Sequence, residues 1–249
     1  MRTRLAPTPS GYLHVGNAVN FLVVHMLAGR NGADVLLRID DLDTPRVRPE
    51  FLEDIFRVLE WLGIHWQVGP GSLTEVPDWS QQRRMTDYSR ALDTLVDHPS
   101  DFYVCSCSRT KLRSHECECA SASLELISGV TCVRMRTPTG DAPVIWRREG
   151  LPSYHLASVV DDDLFDVDLV VRGEDLRPAS DLQRRLAEFL PGNTFPRASL
   201  VHHPLLTDGD GMKLSKSAGA GARPLHLTAE LRHDIERQAV SLVADCDTG

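Results

Sequence analysis

Two short motifs at opposite ends of the chain carry residues suited to binding a nucleoside triphosphate. His14, Gly16 and Asn17 follow a turn rich in proline and glycine, while Lys213 and Lys216 belong to the sequence Lys-Leu-Ser-Lys-Ser. The two lysines stand out because the chain has only three, and arginine supplies nearly all of the other positive charge. Glycines flank them on both sides, which predicts compact, mobile charges on a flexible loop that can close over phosphates.

The first motif is predicted to lie where a strand leads into a helix. Thr3–Ala6 fits a short strand, and His14–Gly29 carries apolar side chains at helical spacing. A helix N-terminus presents free N–H groups and a partial positive charge, so it favours anions, and Gly16 lets a ligand approach the backbone. His14 and Asn17, three residues apart, can share one face and donate to phosphate. An ordinary helix start with a buried histidine is the alternative for this tetrapeptide alone.

Strand and helix patterns continue to alternate along the chain. Strand Val35–Ile39 and amphipathic helix Glu50–Leu62 extend the first half, and a second half resumes at Tyr154. The elements expected there are helix His155–Val160, strand Val167–Arg172, helix Ser180–Leu190 and strand Ala198–His202. This alternation predicts an α/β fold with a doubly wound parallel sheet, in which ligands bind at the carboxyl ends of the strands. A dehydrogenase is excluded because no Gly-x-Gly-x-x-Gly follows the first strand.

The composition is that of an ordinary globular enzyme. The 249 residues are 42% hydrophobic and 25% charged, which is enough for a full core. No cationic start precedes an apolar run and no stretch of about 18 apolar residues occurs, so we expect a cytoplasmic protein with neither signal peptide nor membrane span. The net charge of −8 gives no general basic footprint, so contact with nucleic acid is expected to be local.

A cysteine cluster lies in the segment between the two halves. Cys105 and Cys107 form one Cys-x-Cys pair, Cys117 and Cys119 form another, and nine residues separate the pairs. Paired thiolates at this spacing suit a structural zinc ion in a reducing compartment. Free thiols are the alternative, and His115 is able to replace one thiolate as a ligand.

The same segment holds positively charged residues that are candidates for a local contact with nucleic acid. They are Arg109, Lys111, Arg113, Arg134, Arg136, Arg147 and Arg148. Charge patterning alone is equally consistent with scattered, solvated arginines.

The residues around both motifs resemble those of class I glutamyl-tRNA synthetases. The stretch from Arg4 to Gly16 resembles the opening of these enzymes with its HIGH-type signature, and Lys213 to Ser217 resembles their KMSKS signature. Between them, further segments follow the order and nearly the spacing of the family, namely Leu36–Asp43, Tyr154–Ala157 and Val171–Asp175. The resemblance covers nearly the whole chain.

This resemblance implies a Rossmann-type catalytic domain divided by a small inserted subdomain. We expect residues 1–95 and 151–205 to form the two halves of the nucleotide-binding fold. Residues 96–150 are expected to form an acceptor-binding subdomain with the cysteine cluster, and residues 206–249 the lysine loop and a helix near 225–243. No anticodon-binding domain is expected. In this the chain is similar to the truncated glutamyl-Q tRNA(Asp) synthetases, which attach glutamate to the queuosine base of tRNA(Asp).

The resemblance also implies site residues. For ATP they are Thr8, His14, Gly16, Asn17, Lys213, Ser215 and Lys216, with His14, Lys213 and Lys216 as the catalytic group. For the amino acid they are Arg4, Ala6, Thr8, Asp40, Tyr154, Ser158 and Arg172. Asp40 and Ser158 stand where the family usually has Glu and Asn, so both replacements shorten the reach to the substrate. A water, a shifted backbone or a changed substrate can make up the difference.

Purely structural roles are the alternative for two of these residues. Arg172 can pair with Glu174 or Asp175 in the same segment, and Asp40 can cap a turn together with the aspartates that follow it.

The expected reaction is activation of an acidic amino acid, most simply glutamate, followed by transfer to a tRNA. The carboxylate of the amino acid attacks the α-phosphorus of ATP and pyrophosphate leaves, so catalysis rests on positioning and charge stabilisation rather than on a general base. The expected cofactors are Mg²⁺ with ATP and a structural Zn²⁺. Two alternatives stay open, a ligase that transfers the acyl group to a small molecule or protein and a non-catalytic relative.

Overall fold

The computed structural model describes residues 1–108, 117–205 and 223–246. By their internal contacts the chain divides into two compact units. Unit 1 comprises residues 1–83, 166–180 and 197–249, and unit 2 comprises residues 84–165 and 181–196.

The described residues contain seven strands and seven α-helices. The strands are β1 (Arg2–Leu5), β2 (Asp34–Leu37), β3 (Phe102–Cys105), β4 (Cys132–Met135), β5 (Val144–Trp146), β6 (Leu169–Gly173) and β7 (Ser199–His203). The helices are α1 (Val15–Asn31), α2 (Pro49–Leu62), α3 (Val76–Trp79), α4 (Met85–Val96), α5 (Tyr154–Leu164), α6 (Arg177–Ala187) and α7 (Ala229–Cys246). Short 3₁₀ turns join several of them.

Unit 1 is built on parallel strands, as the alternation predicts. β1 pairs in parallel with β2, and β6 pairs in parallel with β7. β1 also lies against β6, where the backbone N–H of Asp168 donates to the carbonyl of Arg2 over 3.1 Å. The observed strands differ from the predicted ones by one or two residues at their ends. Within each parallel pair the carboxyl ends of the two strands lie side by side, and ligands bind at such ends in this class of fold.

Helices α1, α2 and α7 provide the apolar faces that pack against these strands. In α2 the buried Ile55, Val58, Leu59 and Leu62 follow helical spacing, so one stripe of the helix faces the core. α1 is buried more completely because α7 packs along it. The result is one hydrophobic cluster that fixes α1, and with it the residues at its N-terminus, against the sheet.

Unit 2 contains an antiparallel sheet of β3, β4 and β5 together with α4 and α5. The predicted insertion, residues 96–150, lies inside this unit, and the domain limits given from the sequence remain a prediction. The cysteine pairs come from the end of β3 and from a 3₁₀ turn at Glu118–Ser121.

Three predicted helices are found at shifted positions. α5 begins at Tyr154 because the hydroxyl of Ser153 accepts from the backbone N–H of Leu156, and it continues beyond Val160 to Leu164. α6 starts three residues before the predicted Ser180, since Pro178 is tolerated in the first turn of a helix. α7 occupies Ala229–Cys246 rather than residues 225–243. Among the described residues, no helix has the length and apolar character needed to cross a membrane.

A buried ion pair joins α4 to α5 in unit 2. The guanidinium of Arg84 donates to both carboxylate oxygens of Asp161, over 2.7 Å and 3.1 Å, and the hydroxyl of Tyr88 donates to the same carboxylate over 2.6 Å. Asp161 and Tyr88 are fully buried. The charge of Asp161 is thus matched by three hydrogen bonds, which is the condition under which a buried ion is tolerated.

We expect Asp161→Leu to lower the free energy of unfolding by about 3–5 kcal/mol, because it leaves the charge of Arg84 buried without its carboxylate. Urea unfolding followed by circular dichroism measures the change. Asp87→Asn is the matched control, since the Asp87–Arg90 pair on α4 is exposed and should contribute about 0–1 kcal/mol. Equal losses in the two variants would contradict this account of unit 2.

Candidate active site

The ends of β1 and β2 continue side by side beyond the strands themselves. The backbone N–H of Arg38 donates to the carbonyl of Leu5, and that of Asp40 donates to the carbonyl of Pro7, both over 2.9 Å. These two bonds hold Asp40 next to the segment that contains Ala6 and Thr8. The structure thereby brings three of the predicted amino-acid-binding residues to the same edge of the sheet.

Asp40 is held by a neighbouring guanidinium. Arg38 donates from Nε to Oδ1 over 2.6 Å and from Nη2 to Oδ2 over 3.2 Å, and the two side chains are only 2% and 11% exposed. The carboxylate of Asp41 instead accepts from the backbone N–H of Gln81 over 2.9 Å. Within this acidic stretch, the Asp41 carboxylate binds the backbone of Gln81. The Asp40 carboxylate is oriented by Arg38 just beyond the end of β2.

His14 caps the N-terminus of α1. Its backbone N–H donates to Oδ1 of Asn17 over 3.1 Å, and the backbone N–H of Asn17 donates to Nδ1 of His14 over 3.3 Å. Because Nδ1 accepts, the proton of the neutral ring lies on Nε2. The predicted pair is therefore locked in one orientation at a helix N-terminus, with an imidazole N–H and the amide NH₂ of Asn17 as donors suited to an anion.

Gly16 leaves the room that this arrangement needs. A Cβ at this position would lie 3.0 Å from Cε1 and 3.1 Å from Nδ1 of His14. The glycine therefore accommodates the histidine ring, in addition to any close approach of a ligand.

A buried carboxylate on α2 anchors the turn before His14. Oδ2 of Asp54, which is 3% exposed, accepts from the backbone N–H of Leu13 over 2.8 Å. Oδ1 accepts from Arg57 over 2.6 Å, and the same nitrogen of Arg57 donates to the carbonyl of Leu225 over 3.2 Å. Neither residue was predicted from the sequence, although an aspartate among the core positions of an amphipathic helix is a signal that such a carboxylate has a partner.

Two arginines are buried on neighbouring strands. Arg4 on β1 is 5% exposed and Arg172 on β6 is 3% exposed. Nη1 of Arg172 donates to the hydroxyl of Ser180 over 3.0 Å. Glu174, one of the alternative partners considered for Arg172, forms a two-point ion pair with Arg177 instead.

The four predicted zinc ligands come together in unit 2. The Sγ atoms of Cys105, Cys107, Cys117 and Cys119 all lie within 4.8 Å of one another. Burial raises the pKa of the Cys105 thiol to about 12. Burial alone would also raise the pKa of the Cys119 thiol, but hydrogen bonds from Ser106 outweigh it and lower that pKa to about 6. The cluster has the composition and compactness of a Cys₄ metal site.

Comparison with known proteins places this arrangement in a family. Residues 1–128 match the family model of the catalytic domain of class I tRNA synthetases for glutamate and glutamine. A glutamyl-Q tRNA(Asp) synthetase of Nitratidesulfovibrio vulgaris is 33% identical over 87% of this chain and 78% of its own length. The chain belongs to the class I glutamyl and glutaminyl tRNA synthetase family.

A second relative and a solved structure support the same family. A glutamyl-Q tRNA(Asp) synthetase of Synechococcus sp. strain CC9605 is 39% identical over 90% of this chain and 76% of its own length. Among solved structures, a glutamate tRNA ligase from Elizabethkingia meningosepticum in complex with its amino acid superposes with a TM-score of 0.69 at 25% identity. That comparison covers 88% of this chain and 52% of the ligase, so the chain spans about half of the solved enzyme.

The remaining predicted site residues lie either on α5 or outside the described residues. Tyr154 is the first residue of α5 and is 45% exposed, and Ser158 is buried on the same helix; both belong to unit 2. The residues of the KMSKS-like motif, Lys213, Ser215 and Lys216, lie outside the described residues. So do His115 and the first three residues of the predicted tRNA-binding patch, Arg109, Lys111 and Arg113.

The other arginines of that patch are committed to the fold of unit 2. Arg136 donates to the carbonyls of three residues and stacks over the Tyr103 ring, with 4.7 Å between Cζ and the ring centre. Arg134 is buried and donates to the carbonyl of Ala142, Arg148 donates to the carbonyl of Ser106, and Arg147 pairs with Glu149. Three of these four arginines donate to backbone carbonyls and Arg147 donates to a carboxylate, so a contact with tRNA stays a prediction.

We expect Gly16→Ala to displace the His14 ring and break its hydrogen bond with the backbone N–H of Asn17. A crystal structure of the variant tests this directly. Gly29→Ala is the matched control on the same helix, since a Cβ there meets nothing within 4 Å. The control should add about 0.5–1 kcal/mol to the free energy of unfolding, as alanine does in place of a helix glycine. An unmoved ring in Gly16→Ala would contradict the spatial role given to Gly16.

Proposed function

We propose that this chain activates glutamate with ATP and transfers the glutamyl group to a tRNA. The observation that supports it most strongly is the pair of buried arginines, Arg4 and Arg172, near the carboxyl ends of the contacting strands β1 and β6. An arginine withdrawn from water favours a planar anion that can accept parallel hydrogen bonds, and a side-chain carboxylate is such an anion. Family membership supplies the reaction class.

Asp40 is the residue proposed to bind the α-amino group of the substrate. Asp40 is one methylene shorter than the glutamate that the family usually has, and Arg38 already engages both of its oxygens. A bridging water extends its reach to an ammonium group at little loss of hydrogen bonding. Ala6 and Thr8, on the segment beside Asp40, line the same end. Tyr154 and Ser158 remain predictions from the sequence for amino-acid binding.

In the first step an oxygen of the α-carboxylate of glutamate attacks the α-phosphorus of ATP, which enters as its magnesium complex. A bond forms between that oxygen and phosphorus, the bond from phosphorus to the bridging oxygen breaks, and pyrophosphate leaves with the electron pair. His14 and Asn17 donate to phosphate oxygens at the N-terminus of α1, where the helix dipole favours negative charge. Lys213 and Lys216 are proposed to stabilise the departing charge.

In the second step a hydroxyl of the tRNA attacks the activated carbonyl and AMP leaves. We propose queuosine in tRNA(Asp) as the acceptor. Two relatives named glutamyl-Q tRNA(Asp) synthetase, which are 33% and 39% identical to this chain, support this choice. A glutamate–tRNA ligase of Myxococcus xanthus is 30% identical.

We further propose that the four cysteines bind a structural zinc ion. A tetrahedral ion with Zn–S bonds of about 2.3 Å requires sulfur atoms roughly 3.8 Å apart. Cys105 and Cys117 are separated by 3.6 Å, Cys107 and Cys119 by 3.5 Å, and Cys107 and Cys117 by 3.9 Å. Such an ion would hold the end of β3 to the 3₁₀ turn that contains Cys119.

The purified chain is expected to catalyse glutamate-dependent exchange of pyrophosphate into ATP without added tRNA. Labelled glutamate should then pass to tRNA(Asp) that contains queuosine and not to the same tRNA lacking it. Lys216→Ala is expected to reduce the exchange rate by about two orders of magnitude, as for loss of one preorganised donor.

Each other outcome of this experiment points to a different function. Exchange that requires tRNA favours an enzyme of the tRNA(Glu) type. Exchange with another amino acid contradicts glutamate as the substrate. Absence of exchange with all twenty amino acids contradicts the proposal and leaves the ligase with another substrate or the non-catalytic relative.

Metal analysis of the purified protein should find one zinc ion per chain. Cys119→Ser is expected to remove it and to lower the thermal midpoint, because one of four ligands is lost. Cys246→Ser, on α7 and outside the cluster, is the matched control and should retain the metal. Zinc bound equally by both variants would contradict the Cys₄ assignment.

A further inference from the structure

A buried hydroxyl lies between Arg172 and the end of β7. Ser180 on α6 is fully buried, and its Oγ is the shared partner of three groups. It lies 3.0 Å from Nη1 of Arg172, 2.8 Å from Nε2 of His202 and 3.2 Å from the carbonyl oxygen of Leu176. His202 is opposite Arg172 in the pairing of β6 and β7.

The single hydrogen of the Ser180 hydroxyl determines which group donates in each of these hydrogen bonds. A hydroxyl donates one hydrogen and accepts two, and Arg172 can only donate to it. The carbonyl of Leu176 can only accept, which takes the serine hydrogen. Nε2 of His202 must therefore carry a proton and donate to the second lone pair of Ser180. All three contacts are satisfied in that arrangement and in no other.

We propose that Ser180 and His202 are positioning residues that set the plane of the Arg172 guanidinium for recognition of an acidic side chain. The inference rests on the proposed function of Arg172 in binding the carboxylate of glutamate. Ser180 holds one nitrogen of the guanidinium, and His202 and Leu176 in turn hold the hydroxyl in place. Rotation of Arg172 about its terminal bonds would break this chain of hydrogen bonds.

A fixed guanidinium plane matters for specificity as well as for affinity. Two parallel N–H donors fit the two acceptor oxygens of a carboxylate, whereas the amide of glutamine presents one oxygen and one NH₂ group. A guanidinium that rotates can adapt to the amide, so loss of the positioning residues should weaken the choice between glutamate and glutamine.

The test measures the Michaelis constants for glutamate and ATP, and the ratio of exchange rates with glutamate and glutamine. Ser180→Ala is expected to raise the KM for glutamate by about tenfold, as for loss of one buried hydrogen bond to a charged group. It should leave the KM for ATP unchanged and lower the preference for glutamate. Ser199→Ala, an exposed serine on β7, is the matched control and should change neither constant.

His202 provides a second pair of variants that separates positioning from folding. His202→Gln keeps an N–H close to the position of Nε2, and His202→Leu removes it. We expect the leucine variant to behave like Ser180→Ala and the glutamine variant to retain most of the wild-type selectivity. Thermal midpoints that fall while both KM and the glutamate preference stay unchanged would overturn the inference and leave a structural role only.

Failure of the inference can be told from failure of the proposed function. If the wild-type chain shows no glutamate-dependent exchange, the function itself is wrong. If the wild-type chain is active with glutamate and both Ser180→Ala and His202→Leu keep its KM and its preference over glutamine, only the positioning role is wrong.

Discussion

Burial of guanidinium groups at the ends of parallel strands is the constraint on which the site depends. An arginine removed from water needs hydrogen-bond acceptors in fixed places, or its burial is strongly unfavourable. The acceptors that the fold supplies differ between Arg38 and Arg172. Arg38 finds a carboxylate two residues away, on the continuation of β2, and Arg172 finds a serine hydroxyl on the helix that follows β6. The strand ends are therefore rigid as well as charged.

A second constraint is the fixed position of α1 in unit 1. A helix N-terminus attracts anions only if it stays in place, and α1 is held at both its side and its start. Along its side it packs against α7 and the sheet, and at its start the backbone of Leu13 is bound by the buried carboxylate of Asp54. His14 and Asn17 then close the first turn on each other. Packing, a buried carboxylate and a reciprocal cap together orient one imidazole.

Much of the fold follows from sequence patterns that have a single physical cause. Alternating strands and amphipathic helices require a parallel sheet, and the structure has parallel strand pairs with ends within one or two residues of those predicted. Helix limits were less predictable, because they depend on caps and on tertiary partners. α5 extends beyond Val160 through aspartates that look unsuitable for a buried helix, and Asp161 is stabilised there by Arg84 and Tyr88, distant residues that periodicity does not reveal.

For the site, residue types were predictable and their partners were not. The cysteines come together as their spacing suggests, and Asp40 lies where the end of a strand places it. Asp54, Arg57 and Ser180 were missed because each acts through a neighbour rather than through a motif. Asp54 and Ser180 leave only a weak signal in one sequence, namely a polar side chain at a position where helical spacing expects an apolar one.

Several arginines among the described residues bind the backbone of the fold. Its planar group offers five donors, so one side chain can bind several carbonyls at once, which a lysine ammonium does less rigidly. Arg136 binds three carbonyls, and Arg232 reaches from α7 to the carbonyls of Trp61 and Leu62 at the end of α2. The donors of such arginines are engaged by the fold, so their presence alone does not indicate a surface for nucleic acid. In a chain with three lysines, two of them within one short motif, the position of lysine is the more informative sign of a phosphate-binding segment.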